Sequence, residues 1–232
     1  MELMRDVWER ALSVQQPLAF VPAAATGLVV LALVVLAWRP LRILVTVCHE
    51  AGHAVVGVLV GRRLAGIRLR SDTSGVTVTK GRPHGPGMVA TLFAGYPAAS
   101  VVGLGAAWLA STGHAAGLLW LLVVLLALML LSIRNLYGAL VVVVGGAAVA
   151  LASWYAPPAL LAFGAYGLAW LFLLGGPRAV VEVMRSATPQ SDPGQLSRLT
   201  RVPRPVWGMA WLVLTVACLA AGAWLLLPVA AV

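Results

Sequence analysis

The densest chemistry in the sequence lies in five residues, His49-Glu50-Ala51-Gly52-His53. On a helix the two histidines are four apart and share a face, so both imidazoles can point at one ion. Glu50 lies about 100° further round, outside that ligand pair but close enough to act as the general base of a metal-assisted hydrolysis. This is the H-E-x-x-H arrangement. The competing reading is a pair of packed core histidines, and the inventory argues against it. The chain has only 4 His and 7 acidic residues, and the motif takes two of the former and one of the latter. It also sits inside an apolar run from Leu41 to Val60, where ionisable groups are costly and mark function by default.

The elements that must hold these residues are apolar. The sequence is 61% hydrophobic and 10% charged, against roughly 25% charged in a soluble domain. A polytopic membrane protein follows. The net charge of +9 does not point to nucleic acid, because the basic residues flank apolar segments instead of forming a stripe or a dense cluster. Cys48 and Cys218 lie in different apolar segments and make neither a disulfide framework nor a C-x-x-C motif. Cys48 precedes His49 and points off the ligand face, which suits packing. The mixed charges of residues 1–10 are not the basic start of a secretory signal, so no cleaved leader is expected.

Hydropathy and charge give an all-α polytopic membrane protein of about seven transmembrane helices, with a small β-hairpin after the second. Residues 1–17 are expected to form a cytoplasmic lead-in, and 18–232 a single integral-membrane domain. The expected spans are 18–38, 41–60, 88–109, 116–133, 136–154, 159–174 and 205–227. Between the second and third, Ile67-Arg68-Leu69-Arg70 alternates, residues 71–75 supply a turn, and Val76-Thr77-Val78-Thr79-Lys80 alternates again. That pattern is a hairpin over 66–80, either a plain loop decoration or an edge that could pair with an extended substrate. In the third span Ala94-Gly95-Tyr96-Pro97 brings small residues that let helices approach closely. The loops rich in Arg and Lys face the cytoplasm if the N-terminus is inside, and the connector Ser111-Thr112-Gly113-His114 then lies outside, with Arg39 and Arg42 as exceptions. A polar segment over 175–204 precedes the last span.

A catalytic zinc takes three protein ligands and keeps an open position. His84 and His114 lie in turn-rich connectors, and Asp72 in the hairpin turn. Glu182 can pair with Arg178 or Arg185 on a helix. Asp192, in Ser191-Asp192-Pro193-Gly194-Gln195, is the best remaining candidate. It also has a structural reading, as an N-cap followed by Pro at the first helical position and Gln195 as capping-box partner. Both roles can hold if residues 189–195 dip into the membrane beside the motif helix. Two histidines and a carboxylate suit Zn2+.

With the membrane-embedded HEAGH stretch, the following hairpin and the Ala94-Gly95-x-Pro97 helix, residues 40–200 resemble the site-2 protease family of intramembrane zinc metalloproteases, most closely its small bacterial branch. The resemblance implies His49 and His53 as zinc ligands, Glu50 as catalytic base, and a membrane-protein substrate cut within or near its spanning segment. The family's usual third ligand is an Asp in an N-x-x-P-x-x-x-L-D-G pattern. Aligned on Asn135, that pattern meets Gly138 at its proline and Val143 at its aspartate. Either Asp192 replaces that ligand or the zinc site is incomplete. The functions in competition are therefore a zinc-dependent intramembrane endopeptidase, a non-catalytic membrane adaptor that keeps the fold or metal site, and a metal or ion transporter. The last is weakened by the shortage of ionisable residues in the other spans. The expected partners are a transmembrane or membrane-anchored protein substrate and the lipid bilayer, with no nucleic acid. The excess of Arg over the single Lys80, with abundant Ala, Val and Gly, hints at a GC-rich bacterial genome and so at a bacterial plasma membrane.

Overall fold

Inside a bilayer the backbone of an apolar run has no water to bond, so it must satisfy itself as a helix. The structure, a computed structural model, describes residues 2–186 and 188–227. Met1 of the lead-in, residue 187 of the polar segment and residues 228–232 of the membrane domain lie outside the described residues. In chain order the elements are α1 (Glu2–Leu12), α2 (Phe20–Leu36), α3 (Trp38–Leu59), β1 (Arg63–Leu69), β2 (Gly75–Lys80), α4 (Pro86–Phe93), α5 (Gly95–Ser111), α6 (Ala115–Leu130), α7 (Leu136–Tyr155), α8 (Pro158–Met184), α9 (Asp192–Thr200) and α10 (Arg204–Leu226).

Four helices, α3, α7, α8 and α10, are long and apolar enough to cross a membrane, and α4 with α5 makes a fifth if the bent pair counts as one span. Their outer faces expose Val143, Val213 and Trp224, as do Leu28 and Leu36 on α2. These are surfaces suited to lipid, and the chain is an integral membrane protein. The helices α2 and α6 are apolar but only 17 and 16 residues long, short of the roughly 20 that a full crossing takes. The expected alternation of sides needs correction. The lead-in is tied to the 111–114 connector, through Gln15 N–H to the Gly113 carbonyl (2.8 Å) and Ala116 N–H to Gln15 Oε1 (3.0 Å). Both therefore lie at one end of the molecule. The three apolar segments between them therefore do not make three full crossings, against the expected alternation.

α8 is the central post, in contact with α2, α3, α5, α6 and α10. Between apolar helices in lipid, close approach of small residues replaces the hydrophobic effect as the driving force. Accordingly Ala106, Ala107 and Ala110 of α5 and Ala165, Ala169 and Leu173 of α8 are buried in one cluster. α8 continues ten residues past the expected end of its span, through Pro177, so the first third of the expected polar segment is helix. Glu182 on that extension is salt-bridged to Arg42 of α3 rather than to Arg178 or Arg185.

The third expected span is broken by 56° between α4 and α5. Pro97 has no N–H for the carbonyl four residues back, at Phe93, and its ring crowds that carbonyl. Trp211 Nε1 of α10 donates to the freed Phe93 oxygen at 2.9 Å. The break also leaves the Thr91 carbonyl open to the motif helix.

The hairpin forms as expected, with β1 beginning three residues earlier and pairing antiparallel to β2. The α6–α7 connector covers its β1 edge. Ile67 N–H donates to Ser132 O and Arg134 N–H to Ile67 O, at 2.8 and 2.9 Å. Asn135 completes the tie, its Oδ1 accepting from Leu69 N–H at 3.2 Å and its Nδ2 donating to Leu69 O at 2.6 Å. The outer edge of β2 has no backbone partner among the described residues. Asn135→Ala strips two bonds from β1 and is expected to cost about 1–3 kcal/mol of local stability. Faster amide hydrogen exchange at Ile67 and Leu69, with α8 unchanged, is the measurable result.

Candidate active site

The motif residues come out on one turn of α3, and the helix breaks and turns around them hold their rings. His53 is buried and its Nδ1 donates to the Thr91 carbonyl at 2.7 Å. That bond assigns the proton to Nδ1, so Nε2 carries the lone pair and faces into the site. His49 Nε2 lies 3.0 Å from it. Asp192 Oδ2 stands 3.2 Å from His49 Nε2 and 3.3 Å from His53 Nε2. His49, His53 and Asp192 form the candidate metal cluster among the described residues, with all three donor atoms within 4.8 Å of one another.

This donor set fits a metal ion. Nitrogen and oxygen ligands at about 2.0–2.1 Å from a tetrahedral zinc are spaced about 3.3 Å apart, and the three atoms here are 3.0–3.3 Å apart. The electrostatics agree. A carboxylate oxygen and the lone pair of His53 Nε2 converge with the Nε2 of His49, an arrangement that calls for a cation at its centre.

Asp192 reaches this position by not capping α9. Ser191 is the N-cap, Asp192 is the first helical residue, and Gln195 Nε2 donates to the Gln190 carbonyl at 2.9 Å instead of closing a capping box. The N-cap reading of Asp192 is thereby replaced. Asp72 is occupied elsewhere, since the Ser74 hydroxyl and amide bond its carboxylate at 2.6 and 2.9 Å and hold its pKa below the usual value.

Glu50 is also buried, with 3% of its surface exposed. Its Oε2 accepts a hydrogen bond from Thr77 Oγ1 of β2 at 2.6 Å, and the same hydroxyl lies 3.0 Å from the Glu50 carbonyl. The hairpin thus sets the carboxylate's rotamer. Gly75 at the start of β2 makes room for it, because a Cβ there would lie 2.5 Å from Glu50 Oε1. Replacing Thr77 with Val removes the one side-chain hydrogen bond to that carboxylate among the described residues. Hydrolysis by Thr77→Val is expected to fall about tenfold, the effect of one hydrogen bond to a charged group. Thr77→Ser restores it, and bound metal is the same in all three proteins.

Gly95, on the first turn of α5, plays the corresponding part for the imidazoles. A Cβ at 95 would come 2.5 Å from His53 Nε2 and 2.6 Å from His49 Cε1. Both atoms belong to rings fixed by other bonds, so neither can retreat cheaply. Gly95→Ala is expected to lower metal affinity by about 10–100-fold, the scale of a disturbed supporting contact. Chelator competition on the purified protein reads that loss, and helix content by circular dichroism stays at the parent value.

A cleft of about 320 Å³ opens on this group, lined by Arg42, Thr46, His49, Glu50, Tyr96 and Glu182 with Ser74 and Gly75 of the hairpin at one wall. Tyr96 stands edge-on to His49 with ring centroids 4.7 Å apart, and its other side packs on Trp211. Sequence reasoning valued the Ala94–Pro97 stretch for small residues and passed over Tyr96. It likewise missed Thr77, Thr91 and Gly75, whose roles depend on which strand or carbonyl faces α3.

The model of the Peptidase M50B-like family matches residues 22–222, a range that contains the histidine pair, Glu50 and Asp192. No curated protein and no solved structure matches the chain. With nearly the whole membrane body covered by that match, the chain belongs to the peptidase M50B-like family, a site-2 protease family.

Proposed function

We propose that the protein is a zinc-dependent intramembrane endopeptidase that hydrolyses peptide bonds of membrane-protein substrates within or near their spanning segments. The observation that carries this reading is the convergence of His49, His53 and Asp192 beside a buried Glu50, at the end of an open cleft. In this reading His49, His53 and Asp192 hold the zinc and Glu50 is the catalytic base. The chemistry zinc supplies when bound is Lewis acidity toward a carbonyl and an acidified water. Glu50 takes the proton from the attacking water and returns it to the leaving amine. Thr77 keeps the Glu50 carboxylate aimed, and the Thr91 carbonyl keeps His53 in the ligating tautomer.

A substrate helix has its carbonyls in hydrogen bonds and must unwind before it can be cut. The outer edge of β2, which begins at the cleft wall and has no strand partner among the described residues, is suited to hold the unwound stretch as an added strand. The adaptor reading loses ground on Glu50, since metal binding alone needs no aligned base. The small bacterial branch of the site-2 proteases and a bacterial plasma membrane remain the best placement, on the resemblance and on the Arg-rich composition.

The test reconstitutes the chain in liposomes with single-span peptides that carry a helix-breaking centre, and reads products by mass spectrometry. Cleavage inside the apolar segment, lost with 1,10-phenanthroline and restored by zinc, is the expected result. Cleavage that survives the chelator, or none with any peptide, sinks the reading.

A further inference from the structure

The cleft has a charged end that the hydrolytic group does not use. Arg42 Nη1 of α3 pairs with Glu182 Oε1 of α8 at 3.3 Å, and both side chains are partly exposed, at 37% and 43%. Trp38 Nε1 donates to the other oxygen, Glu182 Oε2, at 3.0 Å. The Arg178 guanidinium lies over the Trp38 ring, 5.6 Å from its centroid. This cluster holds two guanidiniums and the Glu182 carboxylate, with the Asp72 carboxylate of the hairpin turn also in the field of Arg42 but tied to Ser74. Both Glu182 oxygens are engaged, whereas Arg42 has one long ion pair and no other hydrogen bond among the described residues. The unspent capacity is therefore a fork of N–H donors facing the cleft, the geometry that takes a carboxylate with two bonds.

Position along α3 gives the distance from the site. Arg42 and His49 are seven residues apart and both line the cleft, a rise of about 10 Å at 1.5 Å per residue. An extended chain covers that in about three residues. We propose that Arg42 forms a specificity subsite for a substrate carboxylate, an Asp or Glu side chain about three residues from the scissile bond. The inference rests on the endopeptidase reading and adds to it a substrate feature. Glu182 is the internal stand-in, holding Arg42 in place until the substrate's carboxylate replaces it.

The experiment uses zinc-loaded Glu50→Gln protein in zwitterionic nanodiscs, so that peptides bind without being cut. The probes are fluorescent single-span peptides with a helix-breaking centre, carrying one Asp, Asn or Lys at each position up to five residues on either side of it. At one position about three residues from the centre, Asp is expected to bind about tenfold tighter than Asn, the worth of a hydrogen bond to a charged group. Adding Arg42→Glu to this background reverses the preference to Lys, and adding Glu182→Gln strengthens Asp binding further. A misfolded variant cannot produce a reversal. Equal binding of Asp and Asn peptides at every position overturns the subsite while the endopeptidase reading stands. Absence of binding by every peptide, together with no cleavage of any by the parent, overturns both. In a parallel series with nanodiscs containing phosphatidylglycerol, an Arg42-dependent capture of that lipid, with no Asp preference in either membrane, assigns the fork to a phosphate headgroup and also overturns the proposal.

Discussion

Glu50→Gln is expected to reduce hydrolysis by about 10²–10⁴-fold, the range that a positioned general acid–base contributes, while bound zinc stays at the parent level. The substitution is nearly isosteric. A glutamine oxygen can still accept the Thr77 hydroxyl bond that now goes to Glu50 Oε2, so the side chain keeps its place and loses only its basicity. Burial makes the comparison clean. With 3% of its surface exposed, the position is buried, and an amide of the same shape costs no more to bury there than a carboxyl group, so the fold keeps its stability. Rates of peptide cleavage in liposomes and zinc per chain, measured on one preparation, separate the two effects. An equal loss of zinc and activity would reassign Glu50 from base to ligand.

The second large effect is on the metal. Asp192→Ala removes the single carboxylate from the triangle made with His49 and His53, leaving two imidazoles to hold a dication. Zinc affinity is expected to fall by more than about 100-fold, beyond what loss of a supporting partner costs. Asp192→Asn, which keeps one neutral oxygen and the start of α9, falls between. Competition with a chromogenic chelator measures both. Parental affinity in Asp192→Ala would mean that the third ligand lies elsewhere. The same carboxylate stands at the first turn of α9, where a negative charge is favoured by the helix dipole. A shortened α9 by hydrogen exchange is a separate, smaller consequence.

What could be read from the residue order was what depends on one segment at a time. HEAGH on a helix, the alternating strands and the apolar runs are local periodicities, and they produced their elements within a few residues except at α8, which runs on to Met184, and at the bent pair α4–α5. Asp192 stood out by elimination, because so few acidic residues remain in the apolar body, and it lies beside the two histidines. What could not be read was set by contacts across the fold. The bend at Ala94 needed both Pro97 and the acceptors at Thr91 and Phe93 to find new donors, His53 and Trp211. The extension of α8 past residue 174 placed Glu182 against Arg42, a pairing that no spacing within the 178–185 stretch could suggest. The lead-in's bonds to the 111–114 connector likewise put at one end two segments that charge counting set on opposite sides. Thr77 and Gly75 matter only because β2 lies against α3.

The proposed zinc site of His49, His53 and Asp192 beside Glu50 is read by zinc per purified chain. About one zinc per chain is expected in the parent and in Glu50→Gln, as for a site with three protein ligands, and almost none in His53→Ala. A parent purified with zinc in every buffer that still carries none, or a His53→Ala protein that keeps the full complement, would contradict it.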